Sequence, residues 1–219
     1  MTPERFHRLR AVLARRQPDL TVLMDQVHKS HNFSAILRSC DAVGVLEAHV
    51  VAGEGAVAVH NAMSAGTKKW IALRAHPTVT EGISRLRSDG FQLLAAHPSA
   101  SARDYRDVDY TRPTALILGA ELHGVSPEAL ALADIHVTIP MVGLVHSLNV
   151  SVATALLLFE AHRQRAAAHM YDRSRLAEPD FQRRLFEWGY PSLARRCREA
   201  GRPYPPLGPN GELLTDPKA

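Results

Sequence analysis

The chain has 219 residues, of which 46% are hydrophobic, 22% charged and 6% aromatic, the make-up of a soluble globular protein long enough to bury a full core. Its two cysteines, Cys40 and Cys197, allow at most one disulfide and fit a reducing, cytoplasmic setting. The net charge of +4 comes with no apolar run near the roughly 18 residues of a membrane span and no apolar stretch behind the N-terminal charges to make a secretory signal.

Thr2-Pro3-Glu4 reads as N-cap, first-turn proline and first-turn acid of a helix running to about residue 16, with Phe6, Leu9 and Leu13 as its apolar stripe. Gln17-Pro18-Asp19 stops it. From residue 20 strands and helices alternate. Strands are predicted at 20–24, 48–52, 70–73, 91–95, 115–118 and 136–139. Helices are predicted at 30–43, stopped by Gly44; at 81–89, stopped by Gly90; at 127–133, capped by Ser126; and at 147–165, capped by Ser147. This alternation predicts an α/β domain with a mostly parallel sheet and helices on both faces. Past Tyr171, two short Arg-rich helices are expected at 179–188 and 192–199. The proline-rich residues 203–219 are expected to lie extended on the surface or disordered.

Charge is unevenly spread: net +3 over residues 1–20, −3 over 21–160 and +5 over 161–202. An acidic middle between Arg-rich ends reads either as a footprint for a polyanion or as solvated helical surface. Gly53-Glu54-Gly55-Ala56-Val57-Ala58 fits a dinucleotide fingerprint only superficially, because no acid ends a next strand about 20 residues on; a surface loop is expected there. The twelve histidines form no H-x-x-x-H or H-E-x-x-H, so no metal site is expected.

Three polar clusters fall at strand-to-helix junctions, where open α/β sheets bind ligands. They are His28-Lys29-Ser30-His31-Asn32 with Arg38 farther along the helix, Leu118-Gly119-Ala120-Glu121-Leu122-His123-Gly124, and Ile139-Pro140-Met141 through His146-Ser147-Leu148-Asn149-Val150-Ser151. Taken singly, each reads first as ordinary structure: an N-capped helix with an exposed arginine, a loop made by two glycines, and a loop into a buried helix. Together they offer backbone groups, helix starts and polar side chains to one crevice.

Asn32-Phe33-Ser34-Ala35-Ile36-Leu37-Arg38, Leu118-Gly119-Ala120-Glu121 with Gly124-Val125-Ser126, and Ile139-Pro140-Met141 with Ser147-Leu148-Asn149-Val150-Ser151 resemble the three motifs of the SpoU branch of SPOUT RNA 2′-O-methyltransferases. Arg15-Arg16-Gln17-Pro18-Asp19, Asp109-Tyr110-Thr111-Arg112-Pro113, Glu160-Ala161-His162-Arg163-Gln164-Arg165 and Gly189-Tyr190-Pro191 extend the likeness toward tRNA-modifying members of that branch.

The resemblance implies a SPOUT domain over residues 20–166 with a deep trefoil knot at about 115–166. It is flanked by a basic RNA-binding helix at 1–19 and an Arg-rich helical extension at 167–219. The resemblance further implies S-adenosylmethionine held by Ala96, Gly119, Ile139, Met141, Ser147 and Leu148, and a homodimer with its active site at the interface. The acceptor would be the ribose 2′-hydroxyl of the tRNA D-loop guanosine at tRNA position 18. Arg38, Asn32, Glu121, Ser147 and Asn149 match the catalytic set, and Arg8, Arg10, Arg15, Arg16, Arg163, Arg165, Arg173 and Arg175 are assigned to the tRNA backbone.

Two positions depart from the motifs. His146 stands where a glutamine is expected, and Leu122 where a basic residue is expected. A ribose hydroxyl is a poor nucleophile and needs either a base or stabilisation of its developing alkoxide. Arg38 is a candidate for both roles, although a guanidinium holds its proton beyond about pH 12. Rival readings are a sister enzyme acting on ribosomal RNA, disfavoured by the roughly 20 residues before the first strand, and a non-catalytic RNA-binding module.

Overall fold

The computed structural model describes residues 1–51 and 70–214. The 53–58 stretch lies outside them. The chain divides into two compact units, one spanning Gln17–Met170 and the other combining Met1–Arg16 with Tyr171–Ala219.

The larger unit is built on a seven-stranded sheet. Its strands are β1 (Leu20–Met24), β2 (Glu47–Val51), β3 (Ala72–His76), β4 (Gln92–Ala96), β5 (Arg103–Asp104), β6 (Thr114–Leu118) and β7 (Ile135–Thr138), in the order β3-β2-β1-β6-β4-β7-β5. Every pairing is parallel, so the crossovers must run over the faces. The two central strands, LTVLM and TALIL, are buried at every position, which is why they read as continuous apolar runs.

Alternate side chains face opposite layers. Leu20, Val22, Met24, Leu116 and Leu118 pack with α2 (Ser30–Ala42) and α5 (Val150–Ala167) through Phe33, Ile36, Leu37, Leu157, Leu158 and Ala161. Leu23, Ala115 and Ile117 pack with α3 (Val79–Ser88) and α4 (Pro127–Leu132) through Val79, Ile83, Leu86 and Ala129. Helices therefore cover both faces, as the alternation predicted.

Local differences have identifiable causes. Helix α3 begins at Val79 because Thr78 caps it, its hydroxyl accepting from the Glu81 N–H at 3.2 Å. Helix α5 begins at Val150, not 147. Asn149 is the cap, its Oδ1 accepting from the Ser151 N–H at 2.8 Å, while Ser147 stays in the loop. The short β5 and the 3₁₀ turn after it, Tyr105–Asp107, are polar and carry no periodic signal.

The smaller unit joins both chain ends. Helix α1 (Pro3–Ala14) buries Phe6, Leu9 and Leu13. Helices α6 (Glu178–Gly189) and α7 (Pro191–Glu199) enclose Phe186, Leu193, Ala194 and Cys197, with Tyr190 and Tyr204 against them. The tail is not loose through residue 214. Tyr204 stacks on Phe186 at 4.6 Å and donates to Glu187 at 2.9 Å, and Leu207 bridges Leu213. Gly211, at φ +81°, lets this turn press on Phe6, where a Cβ would lie 2.5 Å from the ring.

Candidate functional site: a three-loop crevice at the strand ends

The three polar clusters emerge from the carboxyl ends of β1, β6 and β7, and the structure joins them by side chains. Asn32, 1% exposed on α2, donates from Nδ2 to Glu121 Oε1 at 2.7 Å. The Lys29 N–H reaches the same oxygen at 3.2 Å. Asn149 donates from Nδ2 to Asn32 Oδ1 at 3.1 Å. A carboxylate only accepts, so Glu121 fixes which way the Asn32 amide points. The Asn32 oxygen is then left for Asn149, and the Asn149 oxygen is left to cap α5.

Burial raises the Glu121 pKa, but hydrogen bonds from Asn32 and from the backbone of Glu121, Lys29 and His28 outweigh it and lower it overall. Glu121 is therefore an ionised anchor at neutral pH rather than a proton donor.

The second-motif loop is closed on itself. Ala120 and Gly124 exchange backbone hydrogen bonds at 2.9 and 2.8 Å, and any Cβ on Gly119 would collide with the backbone of Gly124 and Val125. The third-motif loop, 139–149, has no regular structure. Ile139, Met141 and Leu148 are half-buried there, as is Ala96 at the end of β4, and Ile139 and Ala96 pack on the core. Partly buried apolar walls beside irregular backbone suit the faces and edges of an adenine, so these residues fit the S-adenosylmethionine expected from the sequence.

The structure does not bring every expected residue together. Ser147 is exposed on the loop. Arg38 is exposed on α2, roughly 9 Å along the helix axis from Asn32, and takes no part in the Glu121–Asn32–Asn149 chain.

Two arginines assigned to RNA are corrected. Arg165 is fully buried and uses all five of its N–H groups inside the protein. It donates to the Tyr110 carbonyl at 2.9 Å, Gln17 Oε1 at 3.0 Å, Asp19 Oδ1 at 2.6 Å, the Asp19 carbonyl at 2.9 Å and the Arg112 carbonyl at 3.0 Å. Arg16 is 1% exposed, with its guanidinium 5.3 Å from the centre of the Trp188 ring. Neither presents a charge to a phosphate. Arg8, Arg10, Arg15, Arg163, Arg173 and Arg175 are exposed, although Arg163 is chelated by Glu160 at 2.9 and 2.7 Å.

Sequence reasoning passed over Asp25 and the buried His49–His76 pair. Asp25 carried a signal, as an acid directly following the wholly buried strand β1. The histidines carried none, since their proximity depends on the β2–β3 pairing.

Comparison with known proteins places this arrangement. The profile of the SpoU rRNA methylase family matches residues 19–159, and that of the SpoU rRNA methylase C-terminal region matches 163–216. The chain is 49% identical to the tRNA (guanosine(18)-2′-O)-methyltransferase of Escherichia coli over 99% of this chain and 95% of that one. It is 56% identical to the Thermus thermophilus enzyme of the same name over 85% and 96%. Among solved structures, the Aquifex aeolicus TrmH/SpoU tRNA modifying enzyme superposes with a TM-score of 0.77 at 42% identity, covering 86% of this chain and 96% of that one. The SpoU methyltransferase AviRb of Streptomyces viridochromogenes, solved with AdoMet, superposes with a TM-score of 0.57 at 28% identity over 69% and 62%.

Proposed function

This chain belongs to the SpoU methylase family, and from that premise we propose that it transfers a methyl group from S-adenosylmethionine to the ribose 2′-hydroxyl of guanosine 18 in the tRNA D-loop. The observation that carries this reading is the hydrogen-bonded chain Glu121–Asn32–Asn149, which ties the three motifs into one crevice. When bound, S-adenosylmethionine supplies an electrophilic methyl on a sulfonium centre. What remains for the protein is to hold the acceptor and manage its proton.

Ala96, Gly119, Ile139, Met141, Ser147 and Leu148 would hold the cofactor. Glu121 and Asn149 fix the Asn32 amide from opposite ends, so the base of α2 is set before substrate arrives. Arg38, exposed on that helix, supplies the cation that stabilises the developing alkoxide, and the proton that the hydroxyl loses passes to solvent at this open face. The hydroxyl of Ser147, exposed on the third loop, completes the set. Arg8, Arg10, Arg15, Arg163, Arg173 and Arg175 would meet the tRNA backbone, where contacts give affinity and salt dependence rather than identity.

The active form in this reading is a homodimer. Val152, Leu156 and Phe159, spaced i, i+4, i+7 on α5, are exposed, and so are Val142, Leu144 and Leu122 on the site loops. Exposed large apolar side chains at helical spacing on one face of α5 suit an interface. The knot at about 115–166, the division into a methyl-transferring domain and an RNA-binding extension, and a cytoplasmic setting in which Cys40 and Cys197 stay thiols complete the proposal.

The test is transfer of labelled methyl from S-adenosylmethionine to an unmodified tRNA transcript, beside a transcript already 2′-O-methylated at guanosine 18. Label on the first alone is expected. Label on both places the reaction at another nucleotide and overturns the assignment, and label on neither overturns the activity.

A further inference from the structure

Asp25 sits immediately after β1 and is 1% exposed. Its backbone N–H donates to the Leu118 carbonyl at 2.8 Å, carrying the β1–β6 ladder one step past the strands. Its carboxylate Oδ2 accepts from the Ser126 N–H at 2.9 Å. Leu118 and Ser126 are the two stems of the loop that bears Glu121. One residue thus grips both ends of that loop, by main chain at the near stem and by side chain at the far one.

The loop between the stems has little slack. It is closed by the Ala120–Gly124 pair, and the crowding at Gly119 leaves no room for even one added carbon. Ser126 also caps α4, its Oγ accepting from the Ala129 N–H. A shift at the far stem must therefore move the loop rather than be absorbed next to it. Glu121 meets Asn32 from this loop, so its position is set by the grip of Asp25.

We infer that Asp25 is a positioning residue for the methyl transfer proposed above, acting through Glu121 on the Asn32 amide. The inference rests on that reading for its catalytic consequence and on geometry alone for the clamp. The second carboxylate oxygen, Oδ1, is buried and has no hydrogen-bond partner among the described residues, so among them the Ser126 bond is the carboxylate's hold on the protein. Asp25→Ala removes it. Asp25→Asn keeps an oxygen to accept the same N–H.

Two measurements test this. The first is amide hydrogen exchange across the whole chain. In Asp25→Ala, exchange should quicken over residues 119–126 while the β1 and β6 amides keep their protection; unchanged protection over 119–126 overturns the clamp, and so does loosening spread evenly through the unit. The second is a double-mutant cycle in methyl transfer with Glu121→Ala. Asp25→Ala should lower kcat by roughly 100-fold, the scale of a misplacement of about 1 Å in a catalytic group, with Asp25→Asn recovering most of it. In the Glu121→Ala background the same substitution should cost less than about threefold, because groups acting as a unit are non-additive. Multiplying losses would mean that Asp25 acts independently of Glu121, and the inference falls. If the wild type labels no tRNA, the proposed activity fails, while the exchange measurement still decides the clamp.

Discussion

Replacing Arg165 by methionine removes a charge that the protein has wholly enclosed. The guanidinium is 0% exposed, and its five donors join the end of α5 to Asp19, Gln17 and the carbonyls of Tyr110 and Arg112. The substitution takes the Arg165 cation away from the Asp19 carboxylate, 17% exposed, and takes this donor away from the Tyr110 carbonyl and Gln17 Oε1, while the Asp19 and Arg112 carbonyls keep their hydrogen bonds from Thr114. Breaking a buried pair by deleting one partner costs about 3–5 kcal/mol. For a chain of this size that lowers Tm by about 6–20 °C.

Urea and thermal unfolding followed by circular dichroism read this directly. Adding Asp19→Asn to the methionine variant should return part of the loss, because it removes the stranded charge. Arg165→Lys should return less than half of it, since one ammonium cannot span acceptors laid out for a planar fork. The tRNA affinity of the methionine variant, measured well below its transition, should equal that of the wild type. A variant that unfolds within about 1 kcal/mol of the wild type but binds tRNA more weakly would refute the burial argument and restore Arg165 to the RNA path.

Three other outcomes are expected. His49 and His76 share one proton across 2.8 Å, with Glu47 and Arg74 beside them. Burial, then the neighbouring His76 and Arg74, pushes His49 down to about 4 from 6.5, and burial and Arg74 also lower His76. The unfolded chain binds the extra proton first, so this stabilisation is complete above pH 6.5 and is lost as pH falls toward 4. Urea midpoints from pH 7 to 4.5 should show a drop equivalent to about 2 kcal/mol from the His49 shift, reduced in His49→Asn; an equal drop in that variant would assign the effect elsewhere. Arg38→Ala should lower kcat about 100- to 1,000-fold, as loss of an oxyanion-stabilising donor does. Arg38→Lys should restore a substantial part, and no restoration would count against simple charge stabilisation. Phe159→Asp, at the exposed apolar face of α5, should shift sedimentation from dimer toward monomer, while an unchanged dimer would move the interface off this helix.

The fold was legible where it is built from period and punctuation. The apolar runs of β1 and β6, the Gly44 and Gly90 stops and the proline-led helix starts fell within a residue of where the sequence put them. What escaped depends on tertiary pairing. Arg165 reads as one more surface arginine in an Arg-rich stretch, because nothing local shows that Asp19 and two carbonyls wait for it. Ser147 and Asn149 are both good caps, and only the hydrogen bond from Asn149 to Asn32 decides which one starts the helix. The tail reads by composition as extended on the surface or disordered; through residue 214 it is the former, and the seats that Tyr204 and Gly211 give it are not legible locally. At the site, the sequence marked Asn32, Glu121 and Asn149 as candidates, but their order in one directional chain follows only from the fold.

The strand order has a consequence for how this chain comes to exist. Central strand β1 is completed on one side by β2, about 25 residues later in the chain, but on the other by β6, with Leu20 opposite Thr114. At a synthesis rate of about 5–20 residues per second, the second edge of LTVLM waits roughly 5–20 seconds for its partner. During that interval the ribosome carries a nascent half-sheet whose most apolar strand is open to any other extended chain. The fold is therefore exposed during birth in a way the finished enzyme never is. Chaperone capture, or slow translation ahead of β6, would bear on its yield far more than on its stability.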